Sequence, residues 1–194
     1  MERTPGNLAG TDSRSRMIAS AIELMRAHGL SGMGINDIVR ESGAPKGSMY
    51  HYFPGGKVQI ACESLDVYAQ RVEDFIERAL SSERRPQAKV RALFEAFAAR
   101  VEEGHFLRSC AVGAVSLDLG EDLEPIRASA ASAFATWIAT IAAHLDLASS
   151  AERRSFAGLL LSAIEGAYVR CRAERSATPF REAGDWLSRI LARP

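Results

Sequence analysis

Ala44-Pro45-Lys46-Gly47-Ser48-Met49-Tyr50-His51-Tyr52-Phe53-Pro54-Gly55-Gly56-Lys57 is the stretch around which the rest of the chain can be read. It is too short and too polar to be a buried helix. It gathers a lysine, a serine, two tyrosines and a histidine between Lys46 and Tyr52, about two helical turns. Such side chains contact phosphate oxygens and base edges, so the stretch reads as a DNA recognition helix.

The residues before it agree. Asp12 or Ser13 can cap a helix, and Met17, Ala21, Leu24, Met25 and His28 recur at helical spacing until Gly29. Gly32 and Gly34 predict a tight link. Ile35, Ile38 and Val39 predict a short helix ending at Ser42-Gly43. Two short helices joined by a glycine-containing turn are the helix-turn-helix pattern. Residues 1–12, with Pro5, Gly6 and Gly10, read as a loose tail.

After it, Phe53-Pro54-Gly55-Gly56 breaks the helix. A long helix follows with Ala61, Leu65, Tyr68, Ala69, Val72, Ile76 and Leu80 on one side. Val90, Phe94, Phe97 and Val101 mark the next, which Gly104 ends. Ala111 to Val115 is a strand or a buried helix by pattern alone; with no second strand candidate we read it as helix. Asp122 and Pro125 open a helix carrying Ile126, Phe134, Trp137, Ile138, Ile141 and Leu145. Ser149 with Glu152 is a capping box for a helix reaching about Arg175, and Thr178-Pro179 starts the last. The fold class is all-α with about nine helices: a helix-turn-helix domain over 13–60 and a larger helical domain over 61–194.

Composition narrows the function classes. Charges balance, with 24 basic and 24 acidic residues in 194, so this is no highly basic chromatin-type protein. Residues 1–60 hold seven Lys/Arg and five Asp/Glu, a net of +2, which agrees with an N-terminal DNA module. No run approaches 18 apolar residues and no signal peptide is recognisable, so no membrane span and a cytoplasmic location are expected. Cys62, Cys110 and Cys171 are odd in number and far apart, which favours neither a disulfide framework nor a cysteine zinc site. His28, His51, His105 and His144 have no metal-ligand spacing. With no Ser/His/Asp set, phosphate loop or dinucleotide glycine pattern, neither an enzyme nor a cofactor is expected.

The N-terminal residues resemble the tetracycline-repressor (TetR) family of bacterial transcriptional regulators. The resemblance covers residues 13–62 and lies in Ser13-Arg14, Ala21, Leu24, Gly29-Leu30, Asp37-Ile38, Gly43, Lys46-Gly47, Tyr50, Phe53-Pro54 and Lys57. The chain departs from the usual pattern by one extra residue in Phe53-Pro54-Gly55-Gly56-Lys57, and by Gly34 where a Thr or Ser is usual. Both departures are similar to the LmrA/YxaF-like branch. So are Ser109 to Val115, with Ser109 and Ala111 in place of an expected Gly and Pro, and Ile164-Glu165-Gly166-Ala167.

Several roles follow as expectations. Lys46, Gly47 and Ser48 lie on the first turn of the recognition helix, with Gly47 allowing close approach of the backbone to DNA. Tyr50, His51 and Tyr52 divide between phosphate contacts and packing. Lys57 sits at a helix N-terminus, where an anion is favoured; Asn36 and Arg14 are further phosphate candidates. The resemblance implies a dimer through the last two helices, for which the small residues Gly158, Ser162 and Gly166 and the residues Trp186, Leu187, Ile190 and Leu191 are candidates. It also implies an effector cavity, with Leu65, Tyr68, Phe94, Phe97, Phe106, Phe134, Trp137, Ile141, Glu165 and Tyr168 as candidate walls. Glu165, in an otherwise apolar run, needs a partner: an arginine, a helix end or a polar ligand group. The expected function is a homodimeric repressor on a palindromic operator, released by a small apolar or aromatic molecule. A thiol sensor using Cys110 or Cys171, and a helical small-molecule enzyme, are the alternatives.

Overall fold

Most helix boundaries fall where the sequence places its breakers and caps, the start of the first helix excepted. The computed structural model describes residues 6–191, with side chains from residue 13 onward. Among them are nine α-helices and no strand. Helices α1 (Gly6–His28), α2 (Ile35–Ser42) and α3 (Ser48–Tyr52) are followed by α4 (Gly56–Ser81), α5 (Pro86–Glu103) and α6 (Ala111–Ser116). Helices α7 (Glu124–Ala143), α8 (Ser150–Glu174) and α9 (Thr178–Ile190) complete the chain. Helix α1 begins at Gly6, inside the stretch expected to be a loose tail; residues 1–5 lie outside the described residues. The ambiguous run from Ala111 is helical. The capping box at Ser149 is formed in both directions, each bond 3.1 Å.

Helix α3 has five residues, too few to be stable alone. Met49 and the following Phe53 are fully buried with Met17, Ala21 and Met25 of α1 and Ile38 of α2. Each large side chain so buried contributes about 1.5–3 kcal/mol, so tertiary packing holds this short helix. The extra glycine after Pro54 has a structural use: Gly56 takes φ +63° as α4 begins, a region where other residues are strained.

The larger domain is built on α4, α5, α7, α8 and α9. Helix α7 packs on α4 and α8, and buried Trp137 donates from Nε1 to the Ala69 carbonyl at 2.9 Å. By length and composition alone α7 is apolar enough to cross a membrane, although no unbroken run of 18 apolar residues occurs in it. Here Ile126, Ala130, Ala133, Trp137 and Ile141 face the core, as in an alanine-rich core helix of a helical domain. Helices α5, α8 and α9 meet in an aromatic cluster: Phe180 stacks on Phe97 at 5.9 Å and meets the edge of Tyr168 at 5.2 Å. Gly184 lets α9 approach α5, since a Cβ there would lie 2.6 Å from Phe94 Cβ.

A methyl group at Gly184 strikes the root of a buried side chain, which cannot swing away. Gly184→Ala is therefore expected to destabilise the protein by about 1–3 kcal/mol, read as a lower thermal unfolding midpoint. An unchanged midpoint would show that α9 is free to move off α5.

Candidate functional site

The helix-turn-helix presents a polar face. Lys46 and Gly47 form the turn entering α3 rather than its first turn, with Ser48 N–H donating to the Pro45 carbonyl at 2.9 Å. Lys46, Gly47, Tyr50 and His51 are exposed, as is Asn36 near the start of α2. Tyr50 stands out at 64% exposure, a large aromatic side chain left in water. Tyr52 is half-buried against the core with the His51 ring 5.0 Å away, so it serves packing. Lys57 is partly exposed on the first turn of α4. Arg14 is already committed within the chain: it pairs with Glu63 and lies 5.4 Å over the Phe53 ring. That makes it a strut between α1 and α4 rather than an unengaged phosphate ligand.

Nothing lies within 4 Å of a Cβ built on Gly47, whose φ of −70° and ψ of −16° suit any residue. The fold itself does not require glycine here.

The larger domain holds two cavities that share a wall. One, of about 740 Å³, opens between the C-terminal end of α1, α6, α7 and α8. The other is a gap of about 10 Å³ among Tyr68, Phe97, Trp137 and neighbours; Cys110, Glu165 and Tyr168 line both. The expected wall residues separate accordingly. Phe134, Glu165 and Tyr168 line the large cavity, and Tyr68, Phe97 and Trp137 lie behind it. Leu65 and Ile141 are fully buried core and line neither. Phe94 is used up against Gly184 and Phe180, and Phe106 packs at a turn with φ +60° after α5. A third hollow, of about 680 Å³ between α5 and α9, is a charged groove lined by Arg85, Arg91, Glu95 and Arg181 among others.

Residues outside the expected set bring α1 to this cavity. Ser109 N–H donates to the Arg26 carbonyl at 2.9 Å, and Arg26 Nε donates back to the Ser109 carbonyl at 3.2 Å. At the other end of α6, Asp118 accepts from Ser31 N–H at 2.9 Å, and a side chain on Gly29 would overlap the same carboxylate. Arg172 of α8 donates to the Ala27 carbonyl at 2.8 Å. The end of the first DNA-binding helix is thus bracketed by both ends of α6. The one local signal for this in the sequence is Gly29, which also ends α1.

The polar floor of the cavity joins half-buried Glu165 to buried Cys110 and Tyr168. Glu165 lies over Gly113, where any side chain would collide with its carboxylate, and it accepts a hydrogen bond from the Cys110 thiol. Burial raises the Glu165 carboxyl to about 7, the Cys110 bond opposing the shift only in part. Burial likewise pushes the Cys110, Tyr68 and Tyr168 groups upward, so all three stay protonated near neutrality. The Tyr168 hydroxyl is buried without a partner. A protonated buried thiol is a poor nucleophile, and Cys171 is also raised by burial. Among the described residues no group of three or more His, Cys, Asp or Glu could hold a metal ion.

The outer surface of α8 and α9 carries apolar side chains in water. Leu159, Val169, Trp186 and Ile190 are 49–66% exposed. Gly158 and Gly166 have no atom within 4 Å of a built Cβ, and Ser162 is exposed beside them. Leu187 is buried, and Leu191 packs against the same core, so these two belong to the inner side of α9.

Because folding holds the Glu165 carboxyl above the unfolded value of 4.5, the folded state binds more protons between 4.5 and 7. Stability must then fall as pH rises through that window. We expect a loss of roughly 1–3 kcal/mol between pH 5 and pH 8 in denaturant melts, and a flatter profile in Glu165→Gln. Parallel profiles would show that Glu165 titrates as an ordinary surface acid.

Comparison with known proteins agrees with this geometry. Residues 17–61 match the family described as bacterial regulatory proteins, tetR family. Residues 86–186 match the C-terminal domain of the LmrA/YxaF-like transcriptional regulators. The HTH-type transcriptional regulator Rv0196 of Mycobacterium tuberculosis is 32% identical over 173 residues, covering 86% of this chain and 87% of that protein. The crystal structure of the regulatory protein TetR from Rhodobacter sphaeroides superposes with a TM-score of 0.82 at 22% identity, covering 91% of this chain and 97% of that one. A cysteine variant of the regulator CifR, solved in complex with 26-base-pair operator DNA, has a TM-score of 0.78 at 17% identity and covers 91% of this chain and 95% of its own. The chain belongs to the TetR family of bacterial transcriptional regulators, with a C-terminal domain of the LmrA/YxaF-like type.

Proposed function

We propose that the protein is a homodimeric, ligand-responsive repressor. Lys46, Gly47, Ser48, Tyr50 and His51 enter the major groove of one operator half-site, while Asn36 and Lys57 meet phosphates. The two-fold symmetry of a dimer then requires a near-palindromic operator. The operator complex solved for CifR supports DNA as the partner of this fold. The exposed apolar strip of Leu159, Val169, Trp186 and Ile190, with open backbone at Gly158 and Gly166, supports a second copy of the chain on α8 and α9.

The observation that carries the regulatory part is the bracket of α6 around the end of α1. A small apolar or aromatic molecule in the 740 Å³ cavity sits against α6 and against Ala27, His28 and Gly29 at once. Any shift of α6 on binding is passed through the Ser109–Arg26 and Ser31–Asp118 bonds to α1, and so to the spacing of the two recognition helices. Turning the protein from 99% competent to 99% incompetent requires about 10⁴-fold preference of the ligand for one conformation, about 5.5 kcal/mol. The protonated, buried state of Cys110 and Cys171 favours ligand binding over a thiol switch.

Binding to DNA from the upstream region of its own gene, and to a genome-wide pool, tests the reading. Specific binding should weaken steeply with salt. Lys46→Ala/Tyr50→Ala should abolish it with the fold intact, and Gly47→Ala should weaken it without lowering the unfolding midpoint. No enriched site in the pool would defeat the repressor reading. For the dimer, Gly158→Arg is expected to give a folded monomer in sedimentation velocity; a persistent dimer would place the interface elsewhere.

A further inference from the structure

The apolar walls of the cavity leave open which polar group a ligand brings. Glu165 narrows that choice. Several acids of the chain pair with arginine: Glu23 with Arg26 and Arg108, Glu63 with Arg14, Glu95 and Glu102 with Arg181, Glu174 with Arg170. Glu165, in the cavity wall, has no such partner among the described residues. Arg172, on the cavity wall, is held by the Ala27 carbonyl, and Arg26 by Glu23 and the Ser109 carbonyl. What faces it is the Cys110 thiol from α6, Tyr68 from α4 and the unpartnered Tyr168 hydroxyl on its own helix. An ionised carboxylate removed from water without a cation is costly. The aromatic residues Phe134 and Tyr168 line the same cavity.

We propose that the cavity takes an organic cation, an amine protonated at neutral pH on an apolar body, with its ammonium group between Glu165 and the Tyr168 hydroxyl and its body against Phe134 and Leu117. The proposal rests on the effector reading of this cavity and gives the ligand its chemical class. The ammonium supplies the counter-charge that the chain withholds, and aromatic faces attract cations. A carboxylate or phosphate would meet Glu165 head-on. A neutral alcohol leaves Glu165 free to stay protonated and gains an ordinary hydrogen bond.

Proton and cation compete for the same carboxylate. Because burial raises Glu165 to about 7, amine affinity should fall roughly tenfold from pH 8 to pH 6. The other groups around it do not reproduce that profile. Tyr68, Tyr168 and Cys110 remain neutral throughout, and Arg26 remains charged. At the mouth, Asp118 is engaged by Ser31 N–H, and His28 is exposed; His28→Gln is the control for that histidine.

The test is calorimetric titration of the full chain with 2-naphthylethylamine, its isostere 2-naphthylethanol, and 2-naphthylacetate. The amine should bind roughly tenfold or more tighter than either isostere at pH 8. Glu165→Gln should remove that advantage and the pH dependence while leaving the alcohol within about twofold. If Glu165→Gln does not fold, Tyr168→Phe keeps the wall and should weaken the amine alone, by about threefold. The proposal is overturned if alcohol and amine bind alike, if the amine gives no heat up to its solubility limit, or if its advantage survives in Glu165→Gln. The same amine is added to the protein–operator complex as a separate arm. Binding without release of DNA would sink the effector reading and leave the cation site standing.

Discussion

The clamp between α1 and α6 is the constraint on which the rest depends. Two hydrogen bonds between Arg26 and Ser109, one between Ser31 and Asp118, and one from Arg172 to Ala27 hold the end of α1 against the larger domain. Gly29 is needed there twice over, for a backbone at φ +69° and for the room that Asp118 occupies. Without the clamp, the two domains would be joined mainly by α4 and would flex about it. With it, the position of the helix-turn-helix is tied to a six-residue helix that also forms a cavity wall.

That wall carries an electrostatic cost. Glu165 is held where ionisation is opposed, directly over Gly113 and against a thiol that remains protonated. Such a group gives little stability by itself, and a hydrophobic replacement of similar size would be tolerated or better by the fold alone. Its place in the cavity fits a site whose polar requirement is met from outside the chain. The unpartnered Tyr168 hydroxyl, three residues along the same helix, carries the same unmet requirement.

Helix α8 has three environments around its axis. Ala157, Leu160, Ile164, Ala167 and Cys171 turn into the core, Glu165 and Tyr168 into the cavity, and Gly158, Ser162 and Val169 outward. Gly166 and Val169 border the cavity as well as the exposed strip. The proposed dimer face and the proposed effector site therefore adjoin along one helix, so a tilt of α8 would alter both.

Much of this was legible in the residues. Breakers and caps such as Gly29, Gly43, Pro54-Gly55-Gly56 and Ser149 act on their immediate neighbours, so helix number and order could be read locally. The polar character of Lys46, Tyr50 and His51 was legible too, because in so short a stretch Met49 turns into the core and leaves these neighbours in water. The start of α1 was read too late, since Gly6 and Gly10 count as breakers by propensity and yet lie within the helix. Which aromatics line a cavity was not legible. Leu65 and Phe134 both sit at core-facing spacing, and only the arrangement of neighbouring helices makes one solid core and the other a wall. The contacts of Arg14 and Leu187 within the chain were not legible for the same reason, their partners Glu63 and the α5–α9 core lying far along the chain. The sequence by itself determined the helices, their order and the polar stretch from Lys46 to His51, because those depend on contacts within a few residues. Only the tertiary structure decided the cavity, the isolation of Glu165 and the clamp between α1 and α6. These depend on groups as much as 145 residues apart, as Ala27 and Arg172 are, and no local pattern records such distances.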